Sequence, residues 1–113
     1  MNTENNKIIA EFMGYKIQKD PTERFFGRYR TTITKVWVKE NELCFHSDWN
    51  WLMEVVEKIE SLGYDLFIET FEVRIEKYRE TLFRQHTKVS NQTKIKAVYN
   101  ACLEFIEWYN ENK

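Results

Sequence analysis

SDWNWLMEVVEKIESLG, residues 47–63, is the stretch whose reading decides the fold. Ser47 or Asp48 can accept a hydrogen bond from an unpaired amide of a first helical turn, and Gly63 is the residue type that ends a helix. Between them Leu52, Val55, Val56, Ile59 and Leu62 recur at i, i+3, i+4 and i+7 spacing. That single apolar stripe predicts an amphipathic helix with one face in a core. Glu54, Glu57, Lys58 and Glu60 take the other side, with Glu54 and Lys58 a favourably oriented i, i+4 pair. Burying each aliphatic is worth roughly 1.5–3 kcal/mol, which outweighs any surface charge effect here.

Toward the N-terminus, Thr3 can cap a short helix with Glu4 in its opening turn, and Gly14 follows its last apolar residue. Ile8, Ile9, Phe12 and Met13 supply its helical spacing. Tyr15 to Pro21 reads as a connection, with Asp20-Pro21-Thr22 as turn chemistry. Residues 24–38 are strand-like, as one bent strand or two short ones around Gly27. After the central helix, Leu66 and Ile68 share one parity while Phe71, Val73 and Ile75 share the other. The slip at Glu69-Thr70 predicts a tight turn or bulge. A further strand covers Thr81 to Thr87, and Ser90-Asn91 precedes a last helix. That helix carries a wide apolar face through Ile95, Val98, Tyr99, Cys102, Phe105, Ile106 and Tyr109, widened by Leu103 and Trp108. The expectation is one α+β domain over residues 1–113. A mostly antiparallel sheet packs with two long helices and a short N-terminal helix, in the order α-β-α-β-β-α.

A hydrophobic fraction of 42% with 16% aromatics places the chain among globular rather than disordered sequences. So many rings are hard to bury in one small domain, which favours a homo-oligomer. Cys44 and Cys102 form no framework spacing, no charged-then-apolar leader precedes them, and no apolar run approaches the length of a membrane span. A cytoplasmic protein with reduced thiols and no membrane partner follows, with a Cys44–Cys102 disulfide as the alternative.

The net charge of −1 conceals segregation. Residues 19–39 hold six Lys and Arg against two acids, residues 40–76 two against ten, and residues 77–96 six against one. Solvated faces are the plain explanation. The sharper one is that the two basic blocks meet as an anion-binding surface. Arg28, Arg30, Lys35, Arg84, Lys88 and His86 would supply its charge. The first turn of the central helix, from His46 and Ser47 to Trp51, would add amides and a positive dipole end. Trp37 and Trp51 fall where a ring could cover a ligand.

Catalytic spacing is missing. No Cys-x2-Cys or His-x3-His pair suggests zinc, and three scattered glycines build neither a phosphate loop nor a nucleophile turn. Cys44 or Ser47 beside His46 is a weak nucleophile arrangement, and both cysteines sit in apolar patterns as small core residues. No metal and no cofactor is expected.

Two stretches carry a resemblance. LCFHSDWNWLMEVVEKIESLGY, residues 43–64, and KAVYNACLEFIEWYN, residues 96–110, are similar to small phage and prophage proteins of the "ABA sandwich" type. In that type a helix ending in Val-Val-Glu-Lys and, five residues on, Gly leads into strands and an Ala-rich closing helix. The resemblance covers about two-thirds of the chain, while residues 15–40 depart from it. It implies a fold and a phage setting, and transfers no catalytic residue. The expectation is a non-enzymatic phage-type accessory protein acting in counter-defence. It would sequester an anionic, nucleotide-type ligand or block a host protein. The alternatives are a weak nucleic-acid binder using the basic blocks with Phe26, Tyr29 and Trp37, and a small hydrolase.

Overall fold

The computed structural model describes residues 2–19, 27–30, 37–39, 42–87 and 92–112. The fold is α+β, with three helices and antiparallel strands. It divides into two compact units, Met1–Cys44 and Phe45–Lys113.

The first unit opens with α1, Asn2–Phe12. Thr3 lies inside its first turn rather than at the cap, because the helix begins one residue earlier. Its end follows the glycine at φ 79: Gly14 donates to the Glu11 carbonyl and Tyr15 to that of Ala10. This pair of bonds satisfies two carbonyls of the last turn. Ile9, Ala10, Met13, Tyr15 and Leu43 are buried, and the buried Asn6 amide donates to the Leu43 carbonyl at 2.9 Å. Three strands follow as an antiparallel sheet in the order β1 (Lys16–Lys19), β2 (Gly27–Arg30), β3 (Trp37–Lys39). The β-like stretch from Arg24 to Val38 therefore becomes two strands. β1 falls where the sequence reads as a connection; Lys-Ile-Gln-Lys holds one apolar residue and gives no alternation, so pairing with β2 makes it a strand.

The second unit carries the helix of residues 47–63. α2 spans Trp49–Ser61, with Asp48 as its cap: the carboxylate accepts from the Asn50 amide at 2.8 Å. Leu52, Val55, Val56 and Ile59 are its buried stripe, and Gly63 at φ 96 closes it. At 13 residues it is scarcely longer than the 11 of α1, so only the last helix is long. Then come β4 (Asp65–Ile68), β5 (Glu72–Lys77) and β6 (Glu80–His86), an antiparallel meander with β5 central. The parity slip is a turn, in which the Glu69 amide donates to the Glu72 carbonyl at 2.9 Å. α3, Lys94–Asn112, packs on β5 and β6, while α2 packs on α3 and β4. Thr93, whose hydroxyl accepts from the Lys96 amide at 3.3 Å, stands before α3; Ser90 and Asn91 lie outside the described residues.

Strands expected in one sheet thus form two three-stranded sheets, and the second β region has three strands where two were expected. Val73 and Ile75 of β5 are buried on the helix side with Val98, Cys102, Phe105 and Ile106. Part of the ring content packs here: Phe105 meets Tyr64 edge-on at 4.7 Å, stacks with Tyr109 at 5.6 Å, and lies 6.0 Å from Trp108, while Trp49, Phe67, Phe71 and Tyr78 stay exposed. Carboxamides then lace the sheet to the helix. Asn100 donates to Gln92, Gln92 to Gln85, and Gln85 to the Glu104 carboxylate.

Candidate functional site: a basic sheet face

Strand β2 sets the geometry of the first unit. Its residues pair Lys16↔Arg30 and Gln18↔Arg28 on one side, and Arg30↔Trp37 and Arg28↔Lys39 on the other. Cross-strand partners share a face of the sheet, as do positions two apart along one strand. The register therefore puts Lys16, Gln18, Arg28, Arg30, Trp37 and Lys39 at positions of one face, and Ile17, Lys19, Gly27, Tyr29 and Val38 at positions of the other. Four of the six are cationic and none is acidic. Neighbouring positions are about 5 Å apart across strands and roughly 7 Å apart along them, the scale of one or two phosphates.

Arg28, Arg30 and Trp37 are thus brought together as expected from the sequence. Lys16 and Lys39 were missed, because only strand pairing reveals which residues of β1 and β3 share their face. Lys35 and Lys88 lie outside the described residues.

The other predicted residues belong to the second unit and do different work. At the start of α2 the Asp48 carboxylate occupies an amide that an anion was expected to use, and it brings negative charge to the positive end of the helix. His46 meets the Tyr99 ring at 6.3 Å and Trp51 meets Phe45 edge-on at 5.2 Å, so both rings are used in packing. Ser47 is exposed. Arg84 pairs with Glu72 at 3.0 Å, and His86 is the cross-strand partner of the same Glu72. Glu72 also pairs with Arg74 at 2.9 Å, and Arg74 holds Glu69 and Glu76 at 2.8 Å each. The Arg74 guanidinium also lies over the Phe67 ring, 5.1 Å from its centroid. The hydrogen bond from Arg74, then the charges of Arg84, Arg74 and His86, hold the Glu72 carboxyl below its usual range despite partial desolvation. On this sheet three carboxylates share two guanidiniums, so Arg84 is already committed to a partner.

Two features of the second sheet lie outside the predicted set. The β5–β6 hairpin turns on Tyr78-Arg79, flanked by the Lys77↔Glu80 pair, with both turn residues at positive φ, 54 and 67. This is the two-residue turn that favours Asn-Gly, and an L-residue there costs roughly 1–2 kcal/mol. Tyr78 is nonetheless 86% exposed, its ring near the Lys77 ammonium at 5.4 Å. At the far end of the sheet an open hollow of about 610 Å³ is lined by Ile68, Glu69, Thr70, Phe71, Glu72 and Lys94.

Cys44 and Cys102 are not joined in a disulfide. Burial pushes the Cys102 thiol up to about 12, which keeps it protonated and a poor nucleophile at neutral pH. The Cys44 thiol donates to the Glu42 carbonyl at 2.9 Å. Among the described residues no group of three or more His, Cys, Asp or Glu could hold a metal ion, and no helix is long and apolar enough to cross a membrane. No protein-family model matches the chain, and comparison with curated proteins and with solved structures finds no match either.

Proposed function

We propose that this protein is a non-enzymatic binding module that sequesters an anionic, nucleotide-type ligand on the face of its first sheet. The register that sets Lys16, Arg28, Arg30 and Lys39 on one face, with Trp37 at its edge beside Arg30 and no acid among them, carries the reading. Cations at such spacing suit phosphates, and an indole among them suits a base. The setting that goes with this reading is the one the resemblance of residues 43–64 and 96–110 implies: a phage-type accessory protein in the host cytoplasm that counters host defence by removing a nucleotide signal. Blocking a host protein is the second branch. Six large apolar side chains of the second unit that are at least 38% exposed, among them Trp49, Met53 and Phe71, favour it.

Isothermal titration against ATP, cyclic dinucleotides and ADP-ribose tests the first branch. Removing two charged contacts with Arg28→Ala/Arg30→Ala is expected to weaken binding by about a hundredfold or more, since each such bond is worth roughly 1.5–3 kcal/mol. Absence of heat with every nucleotide overturns it. The same titration with a single-stranded oligonucleotide separates a nucleic-acid site, whose log affinity falls with log salt at about 0.7 per phosphate neutralised.

A further inference from the structure

Two features at opposite ends of the second sheet fit one another. At one end Tyr78 and Arg79 hold a turn that Asn-Gly would form without steric cost, and an 86% exposed ring returns little packing to its own fold. Tyrosine and arginine are among the residue types that most often anchor interfaces, and strained backbone that persists at such a tip points to a use outside folding. At the other end the hollow offers Ile68 and the 56% exposed Phe71 as apolar wall, and the carboxylates of Glu69 and Glu72. Those carboxylates belong to the cluster in which, among the described residues, Glu69, Glu72 and Glu76 form ion pairs with Arg74 and Arg84. Lys94 adds a donor from the first residue of α3.

We propose that the Tyr78-Arg79 tip of one copy docks in the Glu69–Phe71 hollow of a second copy, ring against Ile68 and Phe71, guanidinium on Glu69 and Glu72. β5 runs six residues from the hollow to the tip, roughly 20 Å, so a chain cannot seat its own tip in its own hollow. A two-fold pair seats both tips in both hollows and closes as a dimer, whereas a pair joined by one contact leaves one tip and one hollow open and grows head-to-tail. The contact is independent of the basic face of the first sheet.

Sedimentation velocity of the full chain, from micromolar to near-millimolar concentration, tests the contact. The wild type is expected to gain mass to the dimer or past it, and the tip variant Tyr78→Asn/Arg79→Gly to stay at monomer mass. The hollow variant Phe71→Lys removes the wall for the Tyr78 ring, sets a cation beside the carboxylates meant for Arg79, and is expected to stay monomeric too; Thr70→Lys replaces it should that chain fail to give a cooperative melt. Mixed in equal amounts, tip and hollow variants keep one intact half each, so the mixture should form a pair of one copy each and stop there. A wild type at monomer mass throughout, a tip variant that associates as the wild type does, or a mixture that forms no pair overturns the proposal.

Discussion

Replacing Tyr78-Arg79 by Asn-Gly is expected to stabilise the protein, although it deletes two large side chains. Both residues sit in the left-handed region, at φ 54 and 67, where an L-residue costs roughly 1–2 kcal/mol. Asn tolerates that region and Gly removes the Cβ clash, though Gly returns about 0.5–1 kcal/mol of the gain as extra backbone entropy lost on folding. The Lys77–Tyr78 ring contact at 5.4 Å is exposed, so its loss costs about 0.5–1 kcal/mol. Little burial is forfeited from a ring that is 86% exposed. The balance is a gain of about 1 kcal/mol, or several degrees in Tm for a domain of this size. Urea melts followed by circular dichroism, run below the concentrations at which chains associate, read it as a higher midpoint at unchanged slope. A midpoint equal to or below the wild type would refute the reasoning, since it would mean that the tip side chains serve the fold.

Other perturbations test the same structure from different sides. Asp48→Ala removes the cap of α2 and should cost about 1 kcal/mol in chemical denaturation. Phe105→Ala opens the ring cluster with Tyr64, Trp108 and Tyr109 and should cost about 3–5 kcal/mol, read by near-ultraviolet dichroism and urea midpoint together. In alkali the Cys102 thiol, raised by burial from 9.0 to about 12, binds its proton more tightly folded than unfolded. Its contribution to stability is complete below pH 9 and is lost as pH rises toward 12, so urea midpoints should fall over that window and fall less in Cys102→Ala. In acid the sign reverses for Glu72: its lowered pKa gives stability that is present above the usual carboxylate range and lost as pH falls through the folded value. Carboxylate chemical shifts should show Glu72 titrating low in the wild type and nearer to ordinary values in Arg74→Met.

The two helices of the second unit and the stop at Gly14 were legible in the sequence. Their signals are local: an apolar stripe at helical spacing, a capping side chain, a glycine free to take positive φ. The turn at Glu69-Thr70 showed as a break in parity for the same reason. The candidate site was only half legible. Arg28, Arg30 and Trp37 could be singled out by type, but Lys16 and Lys39 join them through pairing across intervening chain, which leaves no trace in any one window of residues. Arg84 looked like another member, and its pairing with Glu72 was hidden because those residues lie twelve apart and meet only across β5 and β6.

What the sequence by itself determined is the helical frame centred on residues 47–63, because capping and i, i+4 packing are settled within a few residues. What only the tertiary structure decided is where the charges stand. Strand register allots each side chain to a face and each carboxylate to a guanidinium. It leaves cation positions without an acid on one sheet, three carboxylates sharing two guanidiniums on the other, and a Tyr-Arg turn held in a conformation that its own residues disfavour.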